Sequence, residues 1–394
     1  MSGPPTSLDE HLGDAQWYYH RARQSVYFTA FSGTAISREQ LHQSARAFVA
    51  HAPQLLAGFD PDFLDNSANL DALIDIFEVD DLSVYPDAWQ VNGEELFDQP
   101  HLPPFRIEAA ISSSGPDADG RAASILVLAT HALLEGSDSA RLTRSNLSRH
   151  LSEQRDATSP GQPLLTLTTA ALVPVQLLLA NLIGPKKGPR GQKSLTLDRH
   201  RVRELARRFG VSQRAFLFAL VSFGINGDDH AISPKRIFIN FTNLSPGGAD
   251  PESYFRFHVM EAKLPLKPDF AEFAKTTEQV LMRTDAKGPA FSQAFVDRLF
   301  HLHRKLAGFL PFLYPTRFFQ FAGFFDLNLS ITPPHHLGGP LTRSLMEPIF
   351  AGTFHPGLNS CVFVPQKSVI TLNFEMQTRL LGRVNAVQNL FESL

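Results

Sequence analysis

The chain has 394 residues, 43% of them hydrophobic, and a formal net charge of −3 at pH 7 with no long basic run. That length suits a large core divided between two domains or two lobes of one unit, and the charge excludes nucleic acid as a principal partner. A lone cysteine, Cys361, excludes an internal disulfide framework and fits a reducing compartment.

The opening residues, MSGPPTSLDEHLGD, have no basic stretch followed by an apolar one, so the expected location is cytoplasmic rather than secreted. Phenylalanine is in excess, 33 against 6 Tyr and 2 Trp. Such an excess suits an apolar tunnel or a membrane-facing surface as well as ordinary core packing. Residues 26–31 predict a strand. Ser37 then predicts a helix start, with Glu39 close behind and Leu41, Ala45, Phe48, Val49 and Leu55 at helical spacing. Residues 69–79 (NLDALIDIFEV) read as a short helix, and 103–112 (PPFRIEAAIS) alternate as a strand.

The turn GPDADG leads from that strand into residues 124–142, SILVLATHALLEGSDSARL. Its apolar run 125–129 has the length and composition of a buried strand. His131 follows at the strand end, then Glu135 and Gly136, with Ser137 and Asp138 each suited to cap a helix. A strand that delivers an imidazole to the edge of a rigid sheet makes a general base that works near pH 7. A carboxylate four residues on reaches the backbone or a cation under the turn, and the glycine permits φ > 0. Residues 139–154 then predict a basic amphipathic helix.

Residues 164–184 hold no charge and are followed by Lys186, Lys187 and Arg190. Length alone permits a membrane span. Pro174, the threonines, Gln176 and Asn181 favour a helix lying against protein or on a membrane surface. Residues 185–193 (PKKGPRGQK) read as a linker, dividing the chain into units 1–184 and 194–394. In the second unit Asp198 predicts a helix cap, Gly210 the stop and Ser212 the next cap. Strands are expected at 235–243, near 328 and in a hairpin over 358–375; helices at 270–284 and at the C-terminus. His301 and His303, beside Arg304 and Lys305, read as a solvated helix face. His335 and His336 are adjacent, point apart and have no flanking carboxylates, so no metal site is expected. No phosphate-binding loop, dinucleotide glycine pattern or GxSxG is present, which argues against kinase, dehydrogenase and α/β-hydrolase chemistry.

The series His131, three residues, Glu135, Gly136 resembles the His-x-x-x-Asp-Gly motif of the CoA-dependent acyltransferase superfamily. That group includes chloramphenicol acetyltransferase, plant acyltransferases, peptide-synthetase condensation domains and bacterial wax ester synthase/diacylglycerol acyltransferases. Two positions depart from it: Thr130 stands where many members have a second histidine, and Glu135 replaces the aspartate. Residues 326–339, with Asn328, Ser330, Pro333, Pro334 and Leu337-Gly338-Gly339, are similar to a wax-synthase strand reading roughly Ser-Asn-Val-Pro-Gly-Pro. Arg214 and Ala215 stand where those enzymes often carry Asn-Asp.

The resemblance implies an α/β fold of two chloramphenicol-acetyltransferase-like lobes with mixed sheets and a substrate tunnel at their interface. His131 would be the general base. Glu135 would hold the loop by pairing with an arginine, for which Arg121 and Arg141 are candidates. Gly136 would give room to the donor arm, and Asn328 and Ser330 would support the intermediate or the tunnel. No cofactor is implied, since acyl-CoA or a carrier-protein thioester enters as substrate. The expected activity is ester formation on a lipidic or apolar alcohol, without an acyl-enzyme. An acyl carrier protein and a peripheral contact of residues 164–184 with the inner membrane face are further implied partners. Two alternatives stand beside it: a condensation-type or polyketide-ester-forming transferase with a carrier-protein donor, and a degenerate relative that binds lipid without turnover.

Overall fold

A computed structural model describes residues 12–51, 53–56, 58–60, 62–80, 82, 95–99, 101–133, 190–226, 236–244, 257–287, 293–311, 326–331, 345–354 and 359–394. Glu135, Gly136, Arg141, residues 164–184, the histidines at 335 and 336 and the glycines at 338 and 339 lie outside them. The strands in chain order are β1 Ser25–Ser32, β2 Ile74–Val79, β3 Phe105–Ser112, β4 Ala123–Thr130, β5 Arg190–Asp198, β6 Arg236–Leu244, β7 Phe257–Pro265, β8 Leu327–Ile331, β9 Leu345–Phe354, β10 Ser360–Pro365 and β11 Val369–Gln377. They form two mixed sheets, β2-β3-β4-β1-β9 and β5-β11-β10-β8-β6-β7.

β4 is central in the first sheet and buried at all eight positions, as is its antiparallel neighbour β1. Burial on both faces is why its sequence is a continuous apolar run rather than an alternating one. Ile125, Val127 and Ala129 join the main first-half core with Val26, Phe28 and Ile107, while Leu126 and Leu128 pack with Tyr27 and Leu96 on the other face. Helices α1 (Asp14–Arg21) and α2 (Arg38–His51) flank this sheet in sequence. Ser37 and Gln40 cap α2 reciprocally, each side chain meeting the other's backbone N–H at 3.3 and 2.8 Å.

One predicted helix is corrected. Residues 69–79 divide into a short helix, Ser67–Asp71, and strand β2, which pairs in parallel with β3. Exposed Asp75 separates Ile74 from Ile76, and pairing with β3 outweighs a helix too short to be stable by itself.

The second sheet has one face under helices α3 (Arg199–Phe209), α4 (Gln213–Asn226) and α5 (Phe270–Lys287), with the C-terminal helix, Val384–Ser393, packed on α4. The Asp198 carboxylate accepts the Arg201 N–H at 2.6 Å, and Gly210 ends α3 with φ 68°. Ser212 Oγ accepts the Ala215 N–H at 3.2 Å at the start of α4. Gly224 of α4 meets the C-terminal helix so closely that a Cβ there would lie 2.6 Å from Val387 Cγ2.

Two elements of the second half cross into the first. β9 pairs antiparallel with β1, closes the first sheet at its edge and also touches β10 and β11. Helix α6 (Gln293–Phe309) packs on α1. It is not the solvated face its sequence suggests: His303 is 1% exposed against Tyr18, and His301 Nδ1 meets Asp14 at 2.8 Å. Arg304 also reaches Asp14, at 3.2 Å, and donates to the Leu12 carbonyl at 2.6 Å. The polar residues of α6 serve α1, a partner that no local pattern announces. We label the C-terminal helix Val384–Ser393 α7. Among the described residues no helix is long and apolar enough to cross a membrane.

Candidate active site at the end of β4

His131 is the first residue beyond β4, within a tight turn of residues 131–133. Thr130 shapes that turn. Fully buried, it accepts the Leu133 N–H on its carbonyl at 3.2 Å and the Ala132 N–H on Oγ1 at 3.3 Å, and donates its own N–H to Pro104 at 2.9 Å. Thr130 therefore folds the backbone here, as short hydroxyl side chains do in turns.

The imidazole is 8% exposed. The β1–β4 ladder ends with Ser25 opposite Thr130, and the His131 N–H continues it by donating to the Gln24 carbonyl at 2.8 Å. Gln24 thus adjoins His131 across the end of the ladder, its backbone neighbour one step beyond Ser25 and Thr130. The Tyr19 ring of α1 tilts against the imidazole, with centroids 5.1 Å apart. Phe300 of α6 backs Tyr18 and Tyr19 at 4.8 and 5.9 Å, so the second half helps to hold the residues that cover His131. Buried beside Tyr18, His303 has its pKa lowered to about 4 by loss of hydration, which keeps that ring neutral near pH 7.

Asn328 and Ser330 lie on β8 in the other sheet, both half-buried. Register sets Asn328 beside Ser360 of β10, which pairs with Glu375 of β11; Ser330 is beside Val362, which pairs with Asn373. These residues share the face turned away from the helix-covered core, and Ser360, Asn373 and Glu375 are buried on it. Arg190 holds the Glu375 carboxylate through Nη2 at 3.0 Å and Nε at 3.2 Å. Val362 and Val364 of β10 belong to the apolar cluster that contains Val127 and Ala129 of β4, which joins the β8–β10 face to the lobe carrying His131. Tyr27 of β1 marks the same junction: burial first, then Glu375 and Cys361, push its hydroxyl pKa up.

Arg121 lies at the opposite end of β4 from His131. It pairs with Asp119 at 2.7 Å and covers the Phe31 ring at 4.4 Å, which removes it as the arginine under the His131 turn. Cys361 is fully buried and its thiol pKa is pushed up by that burial, the opposite of what a thiolate nucleophile needs.

Gln24 and Tyr19 were not legible as site residues. Their roles depend on the β1–β4 register and on the path of α1, and neither belongs to a motif.

Solved structures share this architecture. The wax ester synthase/diacylglycerol acyltransferase from Marinobacter aquaeolei VT8 matches 94% of this chain and 92% of its own, with a TM-score of 0.50 and 12% identity. Polyketide synthase associated protein 5 from Mycobacterium tuberculosis matches 99% and 98%, with a TM-score of 0.54 and 12% identity. The first condensation domain of the CDA synthetase matches 99% and 95%, with a TM-score of 0.53 and 14% identity. The chain has the two-lobed α/β fold that these structures share. At these identities the likeness is one of fold. No family model matches the chain, and no curated protein matches it in sequence.

Proposed function

We propose that the protein is an acyltransferase that moves an acyl group from acyl-CoA to the hydroxyl of a lipidic or apolar alcohol. The observation that carries this reading is His131, held at the end of a fully buried strand by its backbone bond to Gln24 and by the turn that Thr130 shapes, in an acyl-transfer fold. An imidazole nitrogen takes the proton of the alcohol as its oxygen attacks the thioester carbonyl. The new C–O bond gives a tetrahedral oxyanion; its collapse breaks the C–S bond, and the imidazolium returns the proton to the leaving thiolate. No acyl-enzyme is involved, in keeping with the buried, high-pKa Cys361.

In this reading a tunnel between the lobes admits the donor from one side and the acceptor from the other. Gly136 leaves room for the donor arm, Glu135 anchors the loop, and Asn328 and Ser330 support the oxyanion or line the tunnel. Residues 164–184 make a peripheral contact with the membrane from which an apolar acceptor arrives. A second reading, transfer from a carrier-protein thioester, is supported by the fold likeness to condensation domains.

The test follows free CoA release from acyl-CoAs of several lengths with a panel of alcohols and amines, in the wild type and His131→Ala. Acceptor-dependent release should fall by roughly 10²–10⁴-fold in the variant, the range for losing a general base. Equal release in both proteins would remove His131 from this role. Turnover only with an acyl-carrier thioester would favour the second reading.

A further inference from the structure

Two energetically unfavourable features meet within two residues of one another beside His131. The first is Arg23, the one non-glycine residue with positive φ among those described, at 52°. Its N–H donates to the His20 carbonyl at 2.9 Å and the Gln24 N–H to the Tyr19 carbonyl at 3.1 Å, a helix C-terminal turn whose left-handed position is normally glycine. An arginine resists that conformation, because its Cβ crowds the carbonyl. The second is Gln24 itself. Its side-chain oxygen, Oε1, is buried and has no hydrogen-bond partner among the described residues, a state avoided in folded proteins because the lost hydration is not replaced. Backbone strain and unsatisfied buried acceptors cluster where a ligand completes the structure. The strained turn fixes Gln24, and β1 sets it across from His131.

Building on the acyltransferase reading, we propose that Gln24 is the specificity-determining residue for the acceptor. Its amide oxygen takes a hydrogen bond from a second hydroxyl or N–H on the nucleophile that His131 deprotonates. The substrate class is thereby an alcohol with a neighbouring donor, such as a vicinal diol on an apolar chain, rather than a plain primary alkanol. A plain alkanol leaves Oε1 unpaired in the closed site, and a site built to bond a hydroxyl rejects the analogue lacking it far more strongly than an apolar pocket rejects a missing methylene.

The experiment compares 1,2-dodecanediol with 1-dodecanol as acceptors for one acyl-CoA. It uses the wild type, Gln24→Met, which keeps length without the oxygen, and Gln24→Glu, which keeps an acceptor. The diol-to-alkanol ratio of kcat/KM should be at least roughly 100 in the wild type, near one in Gln24→Met and largely retained in Gln24→Glu. A merely structural role would lower both rates together and leave the ratio unchanged, which would overturn the proposal, as would a wild-type ratio near one.

Calorimetric titration with 1,2-dodecanediol gives a readout without turnover. Diol binding that is lost in Gln24→Met upholds the Gln24 assignment even if no acceptor is acylated and the transferase reading falls. Turnover without diol preference does the reverse. Absence of both turnover and diol binding would sink the two together.

Discussion

The ends of β4 and β8 were the two stretches whose sequences most resembled functional motifs, and the structure treats them differently. β4 is buried along its whole length, so the turn after it inherits a rigid support, and His131 is held by its N–H bond to Gln24 and by the turn that Thr130 shapes. β8 buries Leu327 and Leu329 against the helix-covered core and turns Asn328 and Ser330 to the face shared with Ser360. One region presents a single chemical group from a central strand; the other contributes to a polar surface built by several strands. The lesson is that a site histidine can be read from one stretch, whereas a polar face depends on register among strands far apart in sequence.

Perturbing each region should separate these roles. The largest effect is the loss of transfer in His131→Ala, with thermal stability little changed because the turn is held by backbone and by Thr130. Glu375→Ala, on the other side of the junction, should instead act on folding. Its carboxylate and Arg190 are 3% and 16% exposed, and leaving the guanidinium without its partner should cost about 3–5 kcal/mol in denaturant unfolding. A stable Glu375→Ala protein with lost activity would place Glu375 in the chemistry and break the distinction.

His303 offers a pH readout of the α1–α6 clasp. Its folded pKa, about 4, lies below the ordinary 6.5, so the unfolded chain binds the proton more tightly. Stability should be full above pH 6.5 and fall as pH drops toward 4, by up to roughly 3 kcal/mol. The slope that disappears in His303→Leu is the part owed to this ring; equal slopes in both proteins would refute the assignment. The smallest effect concerns the second lobe alone. Gly224→Ala sets a Cβ 2.8 Å from the Val387 backbone and should cost about 1–3 kcal/mol by forcing α4 from α7, with the ratio of acceptor rates unaffected.

Much of this architecture was legible from local signals. Asp198, Gly210 and Ser212 mark helix ends because caps are satisfied within a few residues of themselves. The run 125–129 identifies a buried strand because burial on both faces leaves no polar position. By contrast β2 was read as helix, since its six residues are too few to settle the period until β3 pairs with them. β9 was not anticipated at all. Its Pro348 argues against a strand, but β9 is an edge, and the register against β1 shifts between Thr29 and Phe31, opposite that proline.

By itself, then, the sequence determined the elements whose stabilising contacts are local, the buried central strand, and the histidine that follows it. Tertiary structure alone decided that β9 and α6 cross between the halves, that Tyr19 packs on His131 and that the Gln24 backbone adjoins it. The physical reason is separation along the chain. Caps and periodicity are satisfied within one or two helical turns. A ladder bond between residues 24 and 131, or a core shared by residues 127 and 362, forms only when burial brings distant segments together.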